Sequence, residues 1–175
     1  TAQTLPFAQH TIGLAEELVE RGLFHGNQFI TADGATLLYF AQADSGVSGT
    51  HSNLSFVANS FKNCILSLDD FDTTAAVTNR FANTVISGNT FNRPGGTTLL
   101  FSGPSSNTIV TGNAFTHGGS GVSIAIPGDD TTNPAREIFI AGNTFRRTAG
   151  TAGDVRVLSG PTNIVELGHN RFSGV

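Results

Sequence analysis

Two sets of side chains in this 175-residue chain have the types and spacing to do chemistry. The acidic set is Asp69 and Asp70, with Asp72 close behind, and Asp129 with Asp130. Two carboxylates about 5 to 9 Å apart are what glycosidic cleavage requires, one as acid and the other as base or nucleophile. The same oxygens can ligate Ca²⁺. The basic set is Lys62, Arg93, His117, Arg146 and Arg147. Brought into register, Lys62, Arg93, His117 and Arg147 would form a cationic edge suited to an anionic polymer such as an acidic glycan. The plainer account of both sets is solvated acids in loops and long polar side chains splayed at turns. His25, His51 and His169 lack metal-ligand spacing, and no Ser-His-Asp order stands out, so neither a metal nor a cofactor is expected. Cys64 is the single cysteine and lies in an apolar run, where a buried thiol is the default.

What must position these residues is a repeat. The phrase Leu23-Phe24-His25-Gly26-Asn27-Gln28-Phe29 returns as Ser55 to Phe61, Val85 to Phe91, Ile109 to Phe115, Phe139 to Phe145 and Glu166 to Phe172. Asparagines 27, 59, 89, 113, 143 and 170 are thus separated by 32, 30, 24, 30 and 27 residues. Three residues before each stands Phe24, Phe56, Ile86, Val110, Ile140 or Leu167, and two after each stands a Phe. Turn-type residues follow, then second β-rich runs such as Thr36 to Phe40, Cys64 to Leu68, Thr98 to Phe101, Val122 to Ile126 and Val155 to Leu158. Strand, Gly-Asn corner, strand and variable loop suit one coil of a parallel β-helix. Six coils rising about 4.8 Å each make a column roughly 29 Å tall.

This arrangement explains the constant residues structurally. The Phe rings stack inside, and the Asn amides form a hydrogen-bonded ladder that caps backbone groups left unpaired at the bend. Gly-Asn is ascribed to the positive φ that both residues tolerate. Asn53-Leu54-Ser55 fits a glycosylation sequon and is read as part of the repeat. Val85, Ile109 and Phe139 align on consecutive coils and, by strand alternation, form an apolar stripe on the outside that requires cover. Residues 1–22 form an N-terminal segment whose stretch from Thr11 to Arg21 has helical periodicity and predicts a short capping helix, with residues 23–175 forming the β-helix. The chain lacks Met at position 1 and stops in mid-phrase, the mark of a processed or excised segment, or of an end that meets another subunit.

Composition narrows the classes. At 38% hydrophobic and 13% charged, the chain can bury a core, and with 21 Gly it can turn many corners. A formal charge of −4 with nine dispersed basic residues lacks a nucleic-acid footprint. No apolar run reaches the ~18 residues of a membrane span.

The repeated phrase resembles the right-handed parallel β-helix of the pectate-lyase-like superfamily, which includes secreted polysaccharide lyases and hydrolases and the tailspikes of bacteriophages. The resemblance runs from about Leu23 to Phe172. It implies an all-β, right-handed parallel β-helix and an extracellular, cell-surface or virion setting. It also implies a polysaccharide ligand and a homo-oligomer, a trimer by analogy with tailspikes, whose neighbouring copy would cover the apolar stripe. Of the polygalacturonase-like signature only an Asp-Asp is present, so binding is favoured over turnover. The alternatives are a glycanase using Asp69, Asp70, Asp129 or Asp130, and a structural solenoid that stacks or oligomerises.

Overall fold

Alternating apolar residues flanked by Gly, Asn and Ser make short strands whose only partners are their counterparts one repeat away. A computed structural model describes residues 12–14, 20–31, 36–42, 50–70, 81–101, 105–119, 122–126, 137–150, 153–157 and 164–174. It is an all-β parallel solenoid with three sheets, and none of the described residues is helical. Sheet I stacks Gly22–His25, Leu54–Val57, Phe81–Ser87, Ser105–Thr111, Ile138–Ala141 and Val165–Gly168, with His51–Ser52 pairing beside Phe81–Ser87. Sheet II stacks Gln28–Ile30, Ser60–Lys62, Thr90–Arg93, Ala114–His117, Thr144–Arg147 and Arg171–Gly174. Sheet III stacks Ile12–Leu14, Thr36–Gln42, Ile65–Asp70, Leu99–Phe101, Ile124–Ile126 and Val155–Val157.

The core lies between the three sheets. Phe29, Phe61, Phe91, Phe115, Phe145 and Phe172 stack in one column with centroids 4.9, 4.7, 4.7, 4.9 and 5.1 Å apart. Each buried ring is worth about 1.5–3 kcal/mol by area, and offset stacking adds about 0.5–1.5. Phe56, Ile86, Val110 and Ile140 fill the sheet I side, and Leu66, Leu99 and Ile124 the sheet III side.

The repeat asparagines form the expected ladder. Asn89 Oδ1 accepts from the Asn59 backbone N–H at 2.8 Å and from Asn59 Nδ2 at 3.0 Å, while Asn89 Nδ2 donates to Phe56 O at 2.8 Å and Asn113 Oδ1 at 3.0 Å. Asn113 and Asn143 repeat the pattern. The positive φ, however, belongs to the preceding residue: Gly26, Ala58, Gly88, Gly112, Gly142 and His169. Glycine therefore serves the bend at four of these six corners, Ala58 and His169 at the other two, and asparagine supplies the hydrogen bonds.

A second ladder, unforeseen, stands six residues earlier. Asn53, Asn83 and Asn107 all have φ near 50°, and their exposed amides link through Asn83 Nδ2 to Asn53 Oδ1 at 3.4 Å and Asn107 Nδ2 to Asn83 Oδ1 at 2.7 Å. Asn53 thus belongs to the repeat, but at a corner and not within a strand.

The helix expected over Thr11 to Arg21 is corrected where residues are described. Ile12–Leu14 is a strand paired in parallel with Leu38, Tyr39 and Phe40. The edge of Thr36–Gln42 offers backbone partners that a helix containing Gly13 would forgo. Residues 15–19 lie outside the described residues.

Candidate functional site

On sheet I the side chains alternate, and the outward row reads Leu23, Ser55, Val85, Ile109, Phe139, Glu166 in strict register. Leu23 is 72% exposed, Ile109 39% and Phe139 38%, with Val85 half-buried between Ser55 and Ile109. The stripe read from sequence is therefore on the outside, on a rigid face. Single exposed apolar residues need no explanation, but a row of them does.

At one end the row passes into a shallow cleft of about 220 Å³ lined by Glu137, Ile138, Phe139, Ile164 and Glu166. Glu166 pairs with Phe139 across the sheet, and Glu137 sits two residues before Phe139 on the same chain segment. The ring of Phe139 leans toward Gly168: a side chain begun there would lie 3.8 and 3.9 Å from Phe139 Cε2 and Cζ. Glu137 has φ 56° and occupies the corner position held by Asn53, Asn83 and Asn107 in the preceding coils. An asparagine would have extended the amide ladder there, and a glutamate does not.

The basic set divides instead of forming one edge. Lys62 is in register with Asn92, Thr116 and Arg146, and this row faces outward, Lys62 and Arg146 being exposed. Arg93, His117 and Arg147 form the next row, whose side chains turn inward at the corner between sheets II and III. The offset of one residue matters because neighbouring strand positions point to opposite faces. His117 is fully buried, with Nε2 2.5 Å from Asp154 Oδ1. The Arg93 guanidinium donates through Nη1 to Thr97 O and lies in space left by Gly96. Burial lowers the Arg93 pKa from its usual value.

The acidic set is not brought together by anything described. Asp69 and Asp70 end the strand Ile65–Asp70, in register with Ala41 and Gln42, and Asp129 and Asp130 lie outside the described residues. Among the described residues no three His, Cys, Asp or Glu side chains converge as metal ligands. No helix among them is long and apolar enough to cross a membrane. Buried Cys64 keeps its thiol protonated: desolvation pushes its pKa up to about 12.

Sequence reading missed Glu137, Glu166 and Asp154. Asp154 had no signal, since its partner is 37 residues away. Glu137 and Glu166 did have one: Glu137 follows Asn53, Asn83 and Asn107 at its position in the repeat, and Glu166 follows Val85, Ile109 and Phe139.

These features define a parallel β-solenoid with an apolar outer strip ending in a largely apolar cleft edged by the exposed Glu137 and Glu166. In comparisons with protein-family models, curated proteins and solved structures, nothing matches the chain.

Proposed function

We propose that this chain is a six-coil glycan-recognition solenoid that acts by binding. The observation that carries the reading is the outward row on sheet I: Leu23, Val85, Ile109 and Phe139, set on a rigid scaffold and ending at an aromatic cleft. Hexose units in an extended polymer advance by about the same distance as the ~4.8 Å between strands. A polysaccharide lying along the solenoid axis would meet one coil per sugar, its apolar C–H faces against the row and its hydroxyls against the flanking Ser, Thr and Asn side chains. The repeat's resemblance to β-helical polysaccharide-handling proteins points the same way, and a secreted or virion-borne setting goes with it. Binding is preferred to cleavage because residues 69 and 70 end a strand of sheet III, whereas the strip lies on sheet I.

The test is retention of the purified chain on a panel of immobilised polysaccharides, with product release assayed in parallel. Retention by a defined glycan, weakened at least several-fold by Phe139→Ala with the fold intact, supports the reading. No retention on any glycan, or retention indifferent to Phe139→Ala and Ile109→Ser, sinks it.

One observation supports a second reading, in which copies pack side by side as a homo-oligomer. Leu23 and Ile30, outward on sheets I and II at one level, are 72% and 46% exposed, while Glu166 and Arg171 stand on the same two sheets at the level of the last strands. Parallel copies meeting sheet I to sheet II would match apolar with apolar and carboxylate with guanidinium. Light scattering separates the readings: a trimer of the 18.2 kDa chain favours packed copies, whereas a monomer at all concentrations leaves the strip to a glycan.

A further inference from the structure

We propose that the cleft formed by Phe139, Glu137 and Glu166 is a subsite for one hexose unit bearing a protonated amine. The proposal rests on the glycan-binding reading and goes beyond it by naming the sugar. A volume of about 220 Å³ suits a single pyranose rather than a longer segment. The exposed Phe139 ring offers a surface for the apolar face of that pyranose, and its π cloud attracts a cation held within about 6 Å. The ring leans along the sheet over Gly168, where a Cβ would meet Cε2 and Cζ at 3.8 and 3.9 Å, ordinary contact distances.

The two carboxylates decide the charge. Neither Glu137 nor Glu166 has an ion-pair partner among the described residues. Neither is required by the fold. Glu137 holds a left-handed backbone conformation that costs a non-glycine residue about 1–2 kcal/mol, with asparagine suffering least. It does so where three preceding coils use asparagine and gain an amide hydrogen bond. Glu166 stands in a row whose three preceding members are Val85, Ile109 and Phe139. Both departures line the cleft that Phe139 also lines. A pair of carboxylates falls short of the about six to eight oxygens Ca²⁺ takes, whereas an ammonium beside a ring and two carboxylates is well served. The same charges repel a uronate, so this cleft would select against the acidic glycans that a basic edge would have favoured.

The experiment is calorimetric titration of the full chain with three probes at mildly acidic pH: the β-1,4 tetramer of glucosamine, its N-acetylated counterpart, and the tetramer of galacturonic acid. The free-amine tetramer is expected to bind roughly tenfold or more tightly than the N-acetylated one, with the preference shrinking as salt rises. Glu137→Asn and Glu166→Gln should each cut that preference several-fold. Glu137→Asn should at the same time raise the melting temperature, because it restores the amide ladder. Phe139→Ala should weaken both glucosamine probes together. Equal binding of amine and N-acetyl tetramers, or a preference for galacturonate, overturns the amine subsite and leaves glycan binding standing. A preference that survives in the Glu137→Asn, Glu166→Gln double variant overturns the assignment to this cleft. Failure of all three probes to bind, on a chain that also ignores the polysaccharide panel, overturns the subsite and the glycan reading together.

Discussion

Replacing Asn89 by Ala removes side-chain hydrogen bonds that no water can replace, because the residue is only 1% exposed. Its Oδ1 accepts from the backbone N–H and the amide of Asn59, at 2.8 and 3.0 Å, and its Nδ2 donates to Phe56 O and Asn113 Oδ1, at 2.8 and 3.0 Å. After truncation Asn113 Oδ1 keeps its bond from the Asn89 backbone N–H at 2.9 Å. The backbone N–H of Asn59 loses its acceptor, and the Asn59 amide loses one of its two. Stranding a buried donor costs about 1–3 kcal/mol, so two strand about 2–6 kcal/mol before any cavity term. A loss of about 4 kcal/mol is expected. Asn27→Ala is the internal control: that amide is half-buried and donates only to Asn59 Oδ1 at 3.1 Å, so its loss should cost about 1 kcal/mol. With no Trp and one Tyr in the chain, far-UV circular dichroism is the signal to follow in urea. The midpoint and slope of both variants should be compared with the parent, since coils of a solenoid lean on their neighbours. A cost below about 1 kcal/mol for Asn89→Ala, or equal costs for the two variants, would refute the view that the amide ladder holds the corner.

Two further outcomes follow from the same geometry. Gly88→Ala places a side chain at φ 64° with nothing closer than Ala58 N at 4.0 Å, so it isolates backbone strain and should cost about 1 kcal/mol, while Ala58→Gly at φ 54° should return a similar amount; urea midpoints that do not move in opposite directions contradict this. Cys64, its pKa raised by burial to about 12, should resist thiol reagents at neutral pH until the chain unfolds. Because the folded state holds that proton more tightly than the unfolded one, the stabilisation is present below the unfolded thiol's pKa of about 8.5 and is lost as pH rises toward the folded value. Urea midpoints should therefore fall between pH 9 and 11 more steeply for the parent than for Cys64→Ala, and parallel slopes would remove Cys64 from the account.

The interior was legible in the sequence wherever one physical demand recurs in every coil. Each bend needs a residue that accepts positive φ and an amide that bonds above and below, and each coil needs a ring over the last ring, so the Gly-Asn-x-Phe phrase betrayed both ladders. The outward stripe of Val85, Ile109 and Phe139 followed from strand alternation alone. Where the reading slipped, the cause was parity: Lys62 was aligned with Arg93, His117 and Arg147 although it stands one position earlier, and one position is the difference between solvent and core. The ladder of Asn53, Asn83 and Asn107 has the same spacing as the repeat asparagines but no phrase shared by all three to mark it.

By itself, then, the amino-acid sequence determined the solenoid, its aromatic column and its buried amide ladder, because these arise from short-range rules repeated at every coil. Only the tertiary structure decided that Ile12–Leu14 joins a sheet, that His117 turns inward to Asp154, and that Glu137, Phe139 and Glu166 share one cleft. Those outcomes depend on register between coils of 24 to 32 residues, which is set by how far each loop travels before the chain re-enters the stack and not by any local pattern.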